Sequence, residues 1–224
     1  MSGKFADQVA VVTGASTGIG FAIAQGLIAE GARRVYITGR SAATLEAAVA
    51  KLGDRAVAVI SDVARQVDLD ELKATIEAHG DQLDSVFANA GICEKNPLGE
   101  TTEAAYFNMF DINVKGVFFT VQTLMPLLKN GASIVLTASI CSSNGMEGLS
   151  LYNASKAAVR SFARTWANEL KGRKIRANVL SPGFTRTPLM DNGLKMSETD
   201  VAALRQHVEQ ITPLGYMAEP EEIA

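Results

Sequence analysis

The sequence predicts an α/β protein built on one doubly wound parallel sheet with helices on both faces. Short apolar runs rich in β-branched residues alternate with helical patterns along all 224 residues, which is typical of parallel strands joined by crossover helices. No linker, repeat or low-complexity segment interrupts this alternation, so we expect a single domain over residues 1–224. The six predicted strands are Gln8–Thr13, Arg34–Thr38, Ala56–Ile60, Leu83–Ala88, Ser133–Ala138 and Ile175–Leu180.

The composition excludes several classes of protein. With 47% hydrophobic and 20% charged residues, the chain has the makeup of a soluble globular domain. A net charge of −3 argues against binding to nucleic acid or to an anionic membrane, because both require a basic surface. The amino terminus lacks the apolar region of a signal peptide, and no apolar run reaches the roughly 18 residues of a membrane span, so we expect a cytoplasmic protein.

Cysteine and histidine are too sparse for a metal centre. The two cysteines, Cys93 and Cys141, and the two histidines, His79 and His207, lack the spacing of zinc ligands. We therefore predict no metal site and two reduced thiols. Cys141 can line a cleft or be a buried structural thiol, and the second is the commoner role.

A glycine-rich turn separates the first predicted strand from a helical pattern. This arrangement suits a dinucleotide, because backbone amides must approach a pyrophosphate closely and a helix N-terminus offers free N–H groups. The spacing Gly-x-x-x-Gly-x-Gly departs from the common Gly-x-Gly-x-x-Gly form, and such a turn can also serve packing alone. The predicted cofactor contacts in this turn are Gly14, Ser16, Thr17, Gly18, Ile19 and Gly20.

The end of the second predicted strand indicates which dinucleotide binds. An acidic residue there commonly holds the ribose 2′-hydroxyl of NAD, whereas an arginine can pair with the 2′-phosphate of NADP. The sequence has Gly39-Arg40, which favours NADP(H) and leaves NAD(H) possible, although an exposed loop arginine without a role has the same pattern. Ser41 is the predicted N-cap of a helix over Ala42–Leu52.

Three residues in the second half of the chain suit proton transfer to a substrate oxygen. Tyr152 and Lys156 lie four residues apart in a predicted helix, so both side chains leave from one face. An ammonium group beside a phenol lowers the phenol pKa towards a range useful for proton exchange. Ser139 comes at the carboxyl end of the fifth predicted strand, where open α/β sheets place their sites. A solvated helix face can carry the same tyrosine and lysine, so the neighbouring motifs decide between the two interpretations.

Six motifs in order resemble the signature of the short-chain dehydrogenase/reductase family over nearly the whole chain. The resemblance implies a Rossmann-type fold and an oxidoreductase that transfers a hydride between NADP(H) and a ketone or secondary alcohol. In that chemistry Tyr152 is the general acid or base, Ser139 stabilises the carbonyl oxygen, and Lys156 lowers the Tyr152 pKa and holds the nicotinamide ribose. The six motifs are GASTGIG from Gly14, Asp62-Val63, the Asn-Ala-Gly of residues 89–91, Asn113, Ser139 with the YNASK of residues 152–156, and the PGFTRT of residues 182–187.

The same resemblance assigns further contacts. Asp62 would meet the adenine amino group and Val63 its ring, although an aspartate after a strand can also cap a helix. Asn113 would interrupt a helix and hold a water beside the lysine, and a helix-bend asparagine without a catalytic part would have the same geometry. The remaining cofactor contacts are Asn89, which also ties the central strands together, Gly91, Tyr152, Lys156, Pro182, Gly183, and, at the nicotinamide carboxamide, Phe184 and Thr187.

Residues 188–211 are polar and rich in methionine, which is the pattern of a mobile lid over a substrate pocket. We expect a small-molecule ketone or alcohol as substrate. The apolar residues that suggest a partly hydrophobic pocket, or else belong to the core, are Ile140, Met146, Leu149, Leu189 and Met190.

Family members continue past a helix like the one begun by Glu219–Ala224 into a seventh parallel strand and a glycine-rich tail. This sequence stops at Ala224, so we expect six strands and an unpaired sheet edge. The resemblance implies a homo-oligomer, a tetramer or a dimer, where the further segment is present.

Two other functions fit part of the pattern. A dinucleotide-sensing binding protein of the same fold would have no need of Ser139, Tyr152 and Lys156. A methyltransferase with a similar sheet would want an acidic residue where this chain has Arg40. The sequence therefore favours the oxidoreductase.

Overall fold

Six parallel strands form one sheet in the computed structural model, which describes residues 3–224. The strands are β1 (Val9–Val12), β2 (Arg34–Gly39), β3 (Ala56–Ile60), β4 (Leu83–Ala88), β5 (Leu128–Thr137) and β6 (Arg176–Leu180). They lie in the order β3-β2-β1-β4-β5-β6. The order reverses between β1 and β4, so the carboxyl ends of these two strands border a crevice. The predicted doubly wound sheet is confirmed.

Helices connect consecutive strands as crossovers, and further helices follow β6. Ser41 caps its helix by accepting a hydrogen bond from the Thr44 amide at 3.4 Å, as the sequence predicts. A π-helical turn, Asp111–Gly116, separates two of the helices. The helices are α1 (Gly18–Ala29), α2 (Ala42–Leu52), α3 (Gln66–Ala78), α4 (Glu103–Phe110), α5 (Val117–Leu124), α6 (Ser150–Glu169), α7 (Pro188–Asn192), α8 (Glu198–Ile211) and α9 (Pro220–Ile223).

The sheet buries one apolar layer on each face. Val9 and Val11 of β1 join Tyr36 of β2 in a core cluster with α3, α5 and α6. Ala10 and Val12, which alternate with them along β1, join the opposite cluster with α1 and α2. This alternation follows the two-residue period of a strand, and it fixes which strand residues face which helices.

Strand β5 begins at Leu128, five residues before the predicted Ser133. The polar stretch Lys129–Gly131 hides this part of the strand in the sequence pattern. Leu128 nevertheless pairs with Leu83, and the register then shifts before Ser133 pairs with Ser85. The carboxyl end of β5, which matters for the site, lies where the sequence predicts it.

The segment 188–211 forms α7 and α8. Met190 of α7 packs with Val201 and Val208 of α8 and with Met217 in a small apolar cluster. Across residues 3–224, no helix combines the length and the apolar character that crossing a bilayer requires.

Candidate active site

One cavity of about 510 Å³ lies at the carboxyl ends of the strands. It brings the glycine turn after β1 together with Ser139, Tyr152 and Lys156. All the predicted site residues line it except Gly20, which lies beneath the turn, and Asn113, which is buried behind the lysine. Residues from the first and second halves of the chain therefore share one site.

The glycine turn places backbone amides at the cavity surface. Gly14 and Gly18 have φ of +63° and +58°, a conformation that L side chains rarely adopt. A Cβ atom built on Gly20 would lie 2.5 Å from Asn89 Nδ2 and closer still to the Gly14 carbonyl oxygen. Among residues 3–224, no side-chain cap covers the N-terminus of α1, because Thr17 forms no capping bond. Its first-turn N–H groups and positive dipole end therefore fit the pyrophosphate of a dinucleotide.

Asn89 joins three strands around this turn. Its Nδ2 donates to the carbonyl oxygens of Thr13 at 3.1 Å and of Gly14 at 3.3 Å, and its Oδ1 accepts from Thr137 Oγ1 at 3.1 Å. Asn89 follows β4, Thr13 follows β1, and Thr137 ends β5. These hydrogen bonds tie the central strands together, which is the structural role expected of Asn89 from the sequence.

Asn113 lies inside the π-helical turn and is fully buried. Its Oδ1 accepts from Ile92 N at 2.8 Å, and its Nδ2 donates to Ile92 O at 2.9 Å and to Ser155 Oγ at 3.1 Å. Single π turns inside helices are frequent at functional sites. Asn113 thus positions the segment after β4 against α6, the helix that carries Tyr152 and Lys156.

Lys156 lies between the end of β5 and Gly91. Its Nζ donates to the Thr137 carbonyl oxygen at 2.8 Å, and it lies 5.7 Å from the centre of the Tyr152 ring. A Cβ atom built on Gly91 would lie 3.2 Å from both Lys156 Nζ and Asn113 Oδ1. Glycine at position 91 therefore lets the lysine and the asparagine approach the backbone closely.

Burial raises the pKa of Tyr152 above its usual value, and the neighbouring Cys93 raises it further. A hydrogen bond with the Ser139 hydroxyl acts in the opposite direction and lowers this pKa. The net shift is upward, which is opposite to the direction expected from the sequence. Desolvation of the phenolate outweighs the lowering by the Ser139 hydroxyl. Tyr152 is consequently a protonated phenol at neutral pH.

Burial lowers the pKa of Lys156 to about 8, from 10.5 for an ordinary lysine. Between these values the unfolded chain keeps a proton that the folded chain has released, so the free energy of unfolding rises with pH. Burial also raises the pKa of Cys93 from 9.0 to about 12. Above pH 9 this thiol acts in the opposite sense, because it ionises first in the unfolded chain.

We therefore expect stability to rise by about 1 kcal/mol between pH 8 and pH 9 and then to level off. Above pH 10 it should fall, since burial raises the pKa of Tyr36 as well as that of Tyr152. Urea unfolding at half-unit steps of pH measures the slope. The substitution Lys156→Met should flatten the rise below pH 9, and a slope unchanged in that variant would contradict this assignment.

At the far end of the cavity, Arg40 is exposed after β2, and Asp62 and Val63 follow β3. Asp62 Oδ1 accepts from the Ala64 amide at 3.0 Å, while the N-cap position of α3 belongs to Arg65. Asp62 therefore closes a local turn and is not a helix cap. The sequence does not single out Gly116, which ends the π-helical turn. A Cβ atom on this residue would lie 2.7 Å from Val63 Cγ2, so glycine allows the turn to pack closely against Val63.

The opposite end of the cavity is apolar and contains sulfur. Cys93 and Cys141 are both buried and free, and Cys141 Sγ lies 3.4 Å from Met146 Sδ. The prediction of a buried Cys141 is confirmed, although this thiol also borders the cavity, as does Glu94. The five apolar residues suggested for a substrate pocket all line this cavity: Ile140, Met146, Leu149, Leu189 and Met190.

Comparisons with known proteins agree with this geometry. A sequence model of the short chain dehydrogenase family matches residues 8–198. Oxidoreductase asL5 of Sarocladium schorii is 41% identical over 222 residues, which cover 98% of this chain and 86% of that protein. The NADP-dependent (R)-specific alcohol dehydrogenase of Lentilactobacillus kefiri is 34% identical, with 100% of this chain and 89% of that protein covered.

A solved structure supports the same assignment. The 3-ketoacyl-(acyl-carrier-protein) reductase from Brucella melitensis complexed with NADH superposes with a TM-score of 0.87 at 28% identity. The superposition covers 98% of this chain and 88% of that one. Sequence, fold and cavity thus lead to one conclusion: the chain belongs to the short-chain dehydrogenase/reductase family of NAD(P)-dependent oxidoreductases.

Proposed function

We propose that this protein reduces a ketone to a secondary alcohol with NADPH, and catalyses the reverse oxidation with NADP. The observation that carries this proposal is the meeting of Ser139, Tyr152 and Lys156 with the glycine turn in one cavity. A dinucleotide bound at the turn amides and a substrate bound beside the proton donor would then lie next to each other in the same cavity. When bound, the reduced dinucleotide supplies the hydride.

The protonated phenol of Tyr152 suits the reducing direction. A phenol that stays protonated at neutral pH can donate its proton to the carbonyl oxygen as negative charge develops there. Ser139 follows β5 with its Oγ accepting from the Cys141 amide at 3.1 Å, which leaves the hydroxyl proton to stabilise the same oxygen. Lys156 provides a buried cation next to the phenol and hydrogen-bond donors for the nicotinamide ribose.

Asn113 completes the proposed proton route. A water beside Lys156, which the family resemblance assigns to Asn113, would pass protons between solvent and the lysine. Asn113 acts here as a positioning residue, because its amide is fully engaged by Ile92 and Ser155.

The substrate end favours an uncharged, partly apolar small molecule. Apart from Glu94, its walls are formed mainly by aliphatic and sulfur-containing side chains, and α7 contributes Leu189 and Met190. A Cβ atom on Gly18 would lie 3.4 Å from Thr187 Cγ2, so the segment that leads into 188–211 starts directly over the cofactor turn. We propose that 188–211 is a lid that opens for the substrate.

NADPH is the proposed cofactor because a cationic side chain, that of Arg40, lies in the cavity lining with the glycine turn. A guanidinium binds a 2′-phosphate through charge-assisted hydrogen bonds. The Lentilactobacillus kefiri relative is named NADP-dependent, whereas the Brucella structure is a complex with NADH. A direct measurement of binding therefore tests the preference.

We expect NADPH to bind at least tenfold more tightly than NADH, and Arg40→Ala to weaken NADPH binding by about 10- to 100-fold, the range for hydrogen bonds to a charged group. NADH binding should change little. Titrations followed by nicotinamide fluorescence give both dissociation constants. Arg160→Ala, which removes an exposed arginine of α6 away from the cavity, is the control. Equal binding of the two cofactors by the wild type would refute the preference for NADPH.

A further inference from the structure

Within residues 3–224, Glu94 is the one acidic residue that lines the substrate end of the cavity. The charged residues in the cavity lining are Arg40, Asp62, Glu94 and Lys156. Arg40 and Asp62 lie at the far end, and the Lys156 ammonium donates to the Thr137 carbonyl oxygen. The other walls around Glu94 are mainly aliphatic and sulfur-containing side chains. A substrate bound there therefore meets a single carboxylate among apolar groups.

The Glu94 carboxylate forms no ion pair with another residue of the described range, 3–224. The neighbouring Lys95 is exposed. Hydrogen bonds with Ser197 lower the pKa of Asp200 on α8, and Lys95 lowers it further, so this lysine lies towards α8. Glu94 itself is partly buried. A partly buried carboxylate is stabilised by a hydrogen-bond donor, and a ligand in the cavity can supply one.

The segment that carries Glu94 is held on both sides. Asn113 Oδ1 accepts from Ile92 N at 2.8 Å, and Asn113 Nδ2 donates to Ile92 O at 2.9 Å. Two residues after Glu94, the Asn96 amide donates to the Gly148 carbonyl oxygen at 2.7 Å. A carboxylate on a fixed segment is in place before the substrate arrives, which lowers the entropic cost of binding.

The segment 188–211 meets this loop next to Glu94. A Cβ atom built on Gly193, which follows α7, would overlap the Cys93 carbonyl oxygen and would lie 2.8 Å from the Leu189 carbonyl oxygen. Glycine therefore lets the end of α7 lie directly against Cys93. Because α7 also lines the cavity, Glu94 lies beside the contact through which α7 and the loop after β4 together enclose the substrate end.

We propose that Glu94 selects ketones that carry a hydroxyl group, an inference that rests on the proposed function. While Tyr152 and Ser139 bind the carbonyl oxygen, the hydroxyl of the substrate donates a hydrogen bond to the Glu94 carboxylate. An uncharged hydroxyl enters an apolar cavity at a lower desolvation cost than an ammonium group, and the carboxylate repels an anionic substrate. Hydrogen bonds to a charged acceptor are about twice as strong as those between neutral groups.

The test measures kcat and KM of the wild type and of Glu94→Gln with NADPH and a panel of ketones. Acetophenone has no second polar group, and para-acetylbenzoate carries a carboxylate. Three hydroxy ketones place the hydroxyl at increasing distance from the carbonyl: meta-hydroxyacetophenone, para-hydroxyacetophenone and para-hydroxybenzylacetone. Glutamine keeps the size of the side chain and removes its charge. The ratio of kcat/KM between wild type and variant for each ketone cancels the intrinsic reactivity of that ketone.

For the hydroxy ketone that the wild type uses best, we expect Glu94→Gln to lower kcat/KM by about five- to tenfold, the difference between a charged and a neutral acceptor. The loss should come from KM, because a contact away from the reacting carbonyl stabilises ground state and transition state alike. For acetophenone kcat/KM should stay within about twofold. For para-acetylbenzoate it should rise, because the repulsion between two carboxylates is removed. The affinity for NADPH, from fluorescence titration, should not change.

Glu100→Gln is the matched control. Glu100 is exposed in the same loop after β4 and lies outside the cavity, so this variant should treat every ketone as the wild type does. The inference is overturned if Glu94→Gln affects acetophenone as strongly as the hydroxy ketones, or if it leaves all the hydroxy ketones unchanged.

Two further outcomes have separate meanings. If para-(aminomethyl)acetophenone depends on Glu94 more strongly than the hydroxy ketones do, the carboxylate selects cations, and the assignment of a hydroxyl is overturned. A wild-type protein that reduces none of these ketones with NADPH would instead contradict the proposed function itself, and the inference would fail with it.

Discussion

Replacing Tyr152 by phenylalanine is expected to lower kcat for ketone reduction by about 10³-fold, within the range of a general acid or base. Phenylalanine keeps the ring and loses only the proton donor, so the cavity should retain its shape. The affinity for NADPH should therefore stay within about twofold of the wild type. Initial rates of NADPH oxidation with a reactive ketone, together with fluorescence titration of NADPH, measure the two quantities separately.

Tyr106→Phe is the matched control for this experiment. Tyr106 lies on α4, outside the cavity, and is 43% exposed, so loss of its hydroxyl should leave the rate unchanged. If Tyr152→Phe instead turned over at the wild-type rate, Tyr152 could not be the proton donor. If it lost NADPH binding in parallel with activity, the phenol would have a part in binding the cofactor, and the two roles would have to be separated.

The features that the sequence predicts correctly depend on short stretches of chain. The glycine turn lies between a strand and a helix, as the glycine spacing predicts, and its contact with a phosphate stays a prediction. Asn113 could be singled out because an asparagine among core residues of a helix competes for backbone bonds. The structure has a π-helical turn at that place.

Other features depend on contacts between distant parts of the chain. The direction of the Tyr152 pKa shift could not be predicted from the sequence. It depends on how deeply the phenol is buried and on Cys93, which lies in the loop after β4. Thr38 and Ser61 look like ordinary residues at strand ends. Only the three-dimensional contacts show that Thr13 and Thr137 have partners and that Thr38 and Ser61 have none among residues 3–224.

The substitution Gly20→Ala is expected to damage both the fold and the cofactor site. The new methyl group would overlap the Gly14 carbonyl and would lie 2.5 Å from Asn89 Nδ2, so the glycine turn or the bonds of Asn89 must move. Overpacking of this kind lowers the free energy of unfolding by about 1–3 kcal/mol. Displacement of the turn amides by about 1 Å should lower kcat/KM for NADPH by about 10²-fold.

Gly26→Ala on the same helix separates steric overlap from the general effect of adding a methyl group to α1. Apart from the two neighbouring residues and the nearby backbone of α1 itself, no atom of residues 3–224 lies within 4 Å of a Cβ atom built there, and Gly26 is exposed. Because alanine is the better helix former, this variant should gain up to about 1 kcal/mol in stability and keep its affinity for NADPH. Urea unfolding and NADPH titration of the two variants supply the comparison. Should Gly20→Ala match Gly26→Ala in both measurements, the close approach of the turn to Asn89 would have no part in cofactor binding, and the role proposed for the glycine turn would fail with it.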